Sequence, residues 1–356
     1  MDKETELSEK AFQLCSKFLC GEWKERNNFK LEELNGGLTN KLYICSTTNQ
    51  EGLTKKVVLR IYGLIMQASR NLNDVNAQIT ESVVFAILGQ KGLGPKLYGA
   101  FSEGRLEEYI PGRNLRTAEL QVPEISTTVA TRLADYHRLE VPMSKDPILL
   151  EQFQGYYNRC EQLGVNMKPY KDPFKFCCQL IQNTKSPIVF CHNDCHEGNI
   201  LIDQEKINKG SSMTESLRLI DFEYSAYGFR GFDFANHFNE WMMNYSNEEW
   251  PHYFFNQNDF PSNDQQRRFI QAYLQQQGDL SEENINKIQE EVMEFAMIGH
   301  VYWSLWSEIQ AKVSDIKFGY VEYANDRMNA FRTLLNTRKI SKSEETLRGP
   351  NEIAVH

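Results

Sequence analysis

Apolar residues recur at helical spacing over 9–24, where Phe12, Cys15, Phe18 and Leu19 share one side, and the pattern stops at Glu25-Arg26-Asn27-Asn28. This predicts an amphipathic helix. Two short β-rich runs follow, 42–45 and 57–62, with Asn35-Gly36-Gly37-Leu38-Thr39-Asn40 between the helix and the first of them. Val75, Ile79, Val83 and Ile87 step by four and predict a helix over 75–89. Gly94-Pro95 breaks that pattern, and 97–101 and 106–110 read as strands.

Pro111-Gly112 punctuates the chain, and the pattern beyond it is mostly helical. Strand, Gly loop, strand, helix and strands, then a larger helical part, predict an α+β fold in two lobes with a hinge near 111–114. The expected division is an N-terminal lobe over 1–112 and a C-terminal lobe over 113–356. Within the second part, 200–202 and 217–220 predict a hairpin. Its connection, 203–216, is long, polar and carries Gly210-Ser211-Ser212, so it is expected to be flexible. From about 337 the chain is charged and aperiodic, and it is expected to fray.

Length agrees with two lobes, since 356 residues exceed what one core usually serves. Hydrophobic content of 41% and charged content of 24% exclude collagen-like, coiled-coil and wholly disordered chains. The net charge of −9 leaves no global field toward nucleic acid, so no nucleic-acid partner is expected. An acidic surface suits a small cationic ligand, although solubility alone accounts for it equally well. From the polar start Met1-Asp2-Lys3-Glu4 no secretory signal is expected, and no apolar run nears the ~18 residues of a membrane span. The eight cysteines lie at irregular spacings and are expected to be reduced, mostly buried thiols in a cytoplasmic protein.

The chemistry concentrates in His192-Asn193-Asp194-Cys195-His196-Glu197-Gly198-Asn199 and in Ile220-Asp221-Phe222-Glu223, with Asp221 27 residues beyond Asp194. Phosphoryl transfer from MgATP needs a carboxylate that orients an attacking hydroxyl and oxygen ligands for Mg²⁺. Protein kinases draw these from H-x-D-x-x-x-x-N and a later D-F dipeptide, and both stand here in that order. An Asn/Asp/Gly loop is also what an ordinary turn looks like. Cys191, His192, Cys195 and His196 are good zinc-ligand types, but no second pair matches them, which favours packed cysteines and a bracing His192. Arg60 lies in a buried-looking strand and needs a partner, for which Glu81 on the following helix is the candidate. Gly36-Gly37 lets backbone N–H groups approach phosphate oxygens, and a hairpin turn explains the pair as well.

These strings together resemble the choline/ethanolamine kinase family, nearer its choline kinase branch. The resemblance continues through Arg230-Gly231-Phe232-Asp233, Asn236-His237-Phe238-Asn239-Glu240-Trp241, Trp303-Ser304-Leu305-Trp306 and Phe318-Gly319-Tyr320-Val321-Glu322-Tyr323, covering about 10–335. It implies a two-lobed, protein-kinase-like fold with an antiparallel sheet in the small lobe. It also implies ATP and Mg²⁺, choline as acceptor, phosphocholine as product for phosphatidylcholine synthesis, and a homodimer. Asp194 is then the catalytic base, and Asn199 and Asp221 the Mg²⁺ ligands. Asn35, Gly36, Gly37, Leu38, Thr39, Asn40 and Lys41 would cover the ATP phosphates and Arg60 would reach them. Glu108, Tyr109, Ile110, Pro111, Gly112, Arg113 and Asn114 would form the adenine side. His196 stands where such kinases usually carry glutamine and is expected near nucleotide.

Choline's trimethylammonium calls for aromatic faces and a carboxylate. Trp303 and Trp306 share a helix face, a spacing that also suits a plain core. By the resemblance, Glu240, Tyr245, Trp303, Trp306, Phe318 and Tyr323 line the pocket, while His252 stands where an aromatic is expected. Choline is predicted to be preferred over ethanolamine. The alternatives are a kinase for ethanolamine or another small alcohol, and a catalytically silent nucleotide-binding relative.

Overall fold

The computed structural model describes residues 3–34, 41–62 and 75–348, and their side chains except at 3–4, 75–81 and 339–348. Asn35 to Asn40 and the side chain of Glu81 therefore lie outside the described residues. The chain divides into two compact units. One comprises Met1–Asn114, Glu140–Met143 and Gly198–Glu223, and the other Leu115–Leu139, Ser144–Glu197 and Tyr224–His356. No helix among the described residues is long and apolar enough to cross a membrane.

The first unit begins with helix α1 (Lys3–Phe18), which ends earlier than its apolar pattern because the chain turns into a short 3₁₀ segment, Gly21–Lys24. Strands β1 (Phe29–Leu34), β2 (Lys41–Thr48), β3 (Thr54–Ile61), β4 (Leu97–Phe101) and β5 (Gly104–Glu108) form one antiparallel sheet in the order β1-β2-β3-β5-β4. Helix α2 (Val75–Gln90) lies between β3 and β4 in the chain. Strand β1 carries Lys30, Glu32 and Glu33, which hid it from a search for apolar runs. The final strand spans 104–108 rather than 106–110.

Side chains alternate across a sheet. One face of β3 and β5 sends Val57, Leu59 and Leu106 into a core with Ala11 and Cys15 of α1, Trp23 and Phe29. The other face carries Arg60, Arg105 and Glu107. The hairpin Ile200–Ile202/Leu217–Leu219 belongs to this unit and pairs with a two-residue strand, Arg113–Asn114. Its connection is ordered into two short helices, Gln204–Asn208 and Met213–Ser216. Asp203 caps the first, and a Ser212/Glu215 capping box starts the second. That replaces the flexible loop expected from its polarity.

The second unit is built around helix Glu282–Val313, capped by Ser281 and acidic in its first turn. Helices Tyr320–Arg348, Arg230–Glu240, Leu149–Gln162, Lys171–Asn183 and Asn263–Gln275 pack on it. Val292, Phe295, Ile298, Val301 and Leu305 are wholly or almost wholly buried along its length. The helical backbone of the last element continues to Arg348, past the 337 from which fraying was expected.

Candidate active site

In the second unit, strand Ile188–Cys191 pairs with Ala226–Phe229 and delivers the loop that carries Asp194. Asn193 turns the chain through φ 65°, the left-handed region that Asn tolerates better than most residues. The loop is held by one helix, Arg230–Glu240. Asp233 accepts the backbone N–H of His192 at 2.9 Å and of Asn193 at 2.7 Å. Asn236 donates to the Asn193 carbonyl at 2.7 Å, and His237 Nδ1 donates to the Cys195 carbonyl at 2.8 Å. Positions 233, 236 and 237 share a helix face, so a single buried stripe fixes backbone groups of His192, Asn193 and Cys195.

The stripe is braced in turn. His137 Nε2 donates to Asp233 at 2.9 Å, and Trp241 Nε1 donates to His237 Nε2 at 3.3 Å. Burial pushes His237 down to about 4, so its ring is neutral, and its tautomer is set by its bonds to the Cys195 carbonyl and to Trp241. The Asp233 carboxyl is held below its usual range: burial opposes ionisation, and the His137 bond and the neighbouring donors outweigh it. Burial raises the Cys191 and Cys195 thiols. His137, Cys191 and Asp233 bring one ligand atom each to a common point, but here they serve as this buried brace.

Asp194 keeps 21% of its side chain exposed, and its N–H meets His192 Nδ1 at 3.3 Å. His196, expected at the nucleotide, lies with Nε2 3.8 Å from Asp194 and Nδ1 3.7 Å from Glu197. Its ring meets Tyr245 edge to face at 5.8 Å. Burial disfavours its charge, but Asp194, then Glu197 and Glu240, outweigh that and push its pKa up to about 10.

Beyond His196 stands a cluster of aromatic rings. Tyr245, Phe318 and Tyr323 have centroids 5.9–6.5 Å apart. Trp303 and Trp306 meet at 5.6 Å, and Tyr320 joins the groups, 6.0 Å from Trp306 and 5.0 Å from Phe318. Trp303 is 6% exposed, and its Nε1 donates to Asn236 at 2.6 Å, tying the cluster to the stripe that holds the Asp194 loop. Glu240, one turn beyond Asn236, accepts from Tyr245 at 2.8 Å and is ion-paired with Arg327. Two members escaped the sequence reading. Tyr253 stacks on Phe318 at 5.4 Å, so the aromatic sought at His252 stands one position later. Arg327 is wholly buried and lies 4.8 Å from the Tyr323 ring centre. Its signal was four-residue spacing from Tyr323 on a helix.

In the first unit, Arg60 donates to Glu107 at 2.8 Å and meets Asp221 at 3.2 Å. Arg105 also donates to Glu107, at 2.6 Å, and lies 4.1 Å from the Phe85 ring centre. Burial opposes the Arg60 charge, and Asp221, Glu107 and Glu223 outweigh it, so the guanidinium stays ionised. Asp221 sits at φ 63°. Phe222 anchors it, packing 6.1 Å from Phe85 and against Gly94, where an added Cβ would lie 2.6 Å from the ring. The Ile220 N–H donates to the Asn199 carbonyl at 3.0 Å, which closes the hairpin with Asn199 and Asp221 at one end.

The other positions expected around nucleotide divide by place. Lys41 opens β2 opposite Ile61. Glu108 ends β5 and accepts the Lys96 N–H at 3.1 Å, and Lys56 lies 5.1 Å from the Tyr109 ring centre. Ile110 and Pro111 lead into Gly112, whose φ of 153° and closeness to the Ile202 carbonyl exclude a side chain. Arg113 pairs with Ile202, and Asn114 donates to the Gly198 carbonyl at 2.6 Å.

A sequence model described as choline/ethanolamine kinase matches residues 31–332. The chain is 40% identical to a Homo sapiens choline/ethanolamine kinase over 345 residues, covering 90% of this chain and 85% of that one. It is 39% identical to Mus musculus choline kinase alpha, covering 92% and 81%. Among solved structures, choline kinase from Cryptosporidium parvum superposes with a TM-score of 0.78 at 26% identity, covering 94% of this chain and 97% of that one.

Proposed function

Because the chain belongs to the choline/ethanolamine kinase family, we propose that it transfers the γ-phosphoryl of MgATP to the hydroxyl of choline, releasing phosphocholine for phosphatidylcholine synthesis. The observation that carries this reading is that Asp194 and an aromatic cluster around Glu240 belong to one unit and are joined through His196. A methylated cation is recognised by ring faces rather than by donated hydrogen bonds. The rings would fix the ammonium end, so that the hydroxyl is presented to Asp194 and binding becomes orientation.

Asp194 would accept the hydroxyl proton as the oxygen attacks phosphorus. Its loop is positioned by Asp233, Asn236 and His237, so the carboxylate arrives without reorganisation. Asn199 and Asp221 offer the oxygen donors that Mg²⁺ takes, which fits the metal. A Mg²⁺ ion held by these two side chains would supply neutralisation of charge on the phosphate oxygens. Arg60, kept ionised by Asp221 and Glu107, would add a fixed positive charge on the donor side. Residues 35–41 and 108–114 remain the proposed nucleotide contacts. By the same family resemblance, the protein is proposed to act as a cytoplasmic homodimer.

The test is an ATP/Mg²⁺ phosphorylation assay on choline, ethanolamine and an aminoglycoside. Choline is expected to give the highest kcat/KM. A protein that phosphorylates ethanolamine or the aminoglycoside faster, or that turns over none of the three, overturns the reading.

A further inference from the structure

The carboxylate in the aromatic cluster is not free. Glu240 is 4% exposed, one of its oxygens is paired with Arg327 and the other accepts the Tyr245 hydroxyl at 2.8 Å. The Tyr323 hydroxyl is engaged as well, accepting from Arg327 and lying 3.3 Å from the Tyr245 hydroxyl. The polar atoms of the cluster therefore bond mainly to one another, and the charge of Glu240 is answered from inside the protein. What the cluster offers inward is ring surface. Burial works against the Arg327 charge, but Tyr323 and Glu240 outweigh it, so the neutralising cation persists. Its Nε and Nη1 have no hydrogen-bond partner among the described residues, so Glu240 and Tyr323 are what it chiefly holds.

We propose that Arg327 is a specificity-determining residue, which by occupying Glu240 and Tyr323 makes the acceptor site select a methylated ammonium over a primary one. The inference rests on the choline-kinase reading and concerns its discrimination. A primary ammonium carries three N–H groups, each needing an acceptor once water is removed. With Glu240 and the two hydroxyls engaged, those groups are left underbonded. A trimethylammonium has no N–H to satisfy and loses nothing. Release of Glu240 gives the primary ammonium an anionic acceptor that the methylated one cannot use by hydrogen bonding.

The experiment compares kcat/KM for choline and ethanolamine in the wild-type protein and in Arg327→Met, Arg327→Lys and Tyr245→Phe. Arg327→Met frees one Glu240 oxygen and is expected to lower the choline-to-ethanolamine ratio about tenfold, the low end of what one hydrogen bond to a charged group contributes. Arg327→Lys keeps a cation beside Glu240 and is expected to retain the ratio. Tyr245→Phe keeps the ring, frees the other oxygen, and is expected to lower the ratio in the same direction. Circular dichroism establishes which variants fold, and if Arg327→Met does not, Tyr245→Phe decides. A wild-type protein that turns over choline, with an unchanged ratio in the folded variants, overturns the role of Arg327 alone. A wild-type protein that phosphorylates neither alcohol overturns the underlying reading instead.

Discussion

Asp194 and His196 stand 3.8 Å apart, yet they answer to different tests. Asp194→Asn keeps the shape and removes the proposed base, so turnover is expected to fall by roughly 10²–10⁴-fold with the fold intact, the usual worth of a positioned base. Steady-state rates beside circular dichroism check it, and near-normal turnover would remove Asp194 from its role. His196 speaks to stability, because its pKa rises from the ordinary 6.5 to about 10 among Asp194, Glu197 and Glu240. The folded state holds that proton more tightly than the unfolded chain. Its contribution is therefore complete below about pH 6.5 and is lost as pH climbs toward 10. His196→Gln is expected to be less stable than wild type by about 1 kcal/mol at pH 6, after solvent screening, and equally stable near pH 10. Urea unfolding at both pH values checks this, and a gap that widens with pH would contradict it. The sequence made Asp194 and Glu240 legible through their strings. It could not show Arg327 answering Glu240, because 87 positions separate two residues that only a packed pair of helices brings together.

Helix Arg230–Glu240 shows how one element does the work of a scaffold. Its string was visible in the sequence, but the purpose of 233, 236 and 237 was not, because the loop they hold lies some 40 positions earlier. Asp233→Asn leaves one acceptor oxygen where two backbone N–H groups and His137 now converge. Breaking such a buried charged brace is expected to cost about 3–5 kcal/mol in urea unfolding, and to lower kcat more than it raises the KM for choline, since the Asp194 loop loosens. A loss under 1 kcal/mol would show that the loop holds itself. Helix Val75–Gln90 was legible from the four-residue steps of Val75, Ile79, Val83 and Ile87 alone. The polar connection at 203–216 was misread as flexible because its order comes from caps at Asp203 and Ser212 rather than from apolar burial. Strand β1 was missed for the same reason, since sheet pairing with β2 rather than a hydrophobic run defines it.

At the scale of the molecule, a reading along the chain anticipates a sheet-bearing part followed by a helical one, because composition and period change near 111–114. It has no means of foreseeing that the first unit is completed by Gly198–Glu223. That return supplies Asp221 to the buried Arg60, Phe222 to the space beside Phe85 and Gly94, and residues 201–202 to the strand Arg113–Asn114. A fragment ending at Asn114 keeps the five strands, but it lacks the carboxylate at Asp221 and the ring that fills the space at Gly94. Two buried arginines, Arg60 and Arg105, left to share the single carboxylate of Glu107, and an unfilled gap, are each costly. Fragment 1–114 is therefore expected to show no cooperative urea transition. Joining residues 198–223 to it through a short Gly/Ser linker is expected to restore one, since the Asn114 side chain already reaches the Gly198 carbonyl at 2.6 Å. Circular dichroism across a urea series separates the two fragments. Cooperative unfolding of 1–114 alone would mean that the returning hairpin is an addition to a finished unit, and that Arg60 stays in place without Asp221.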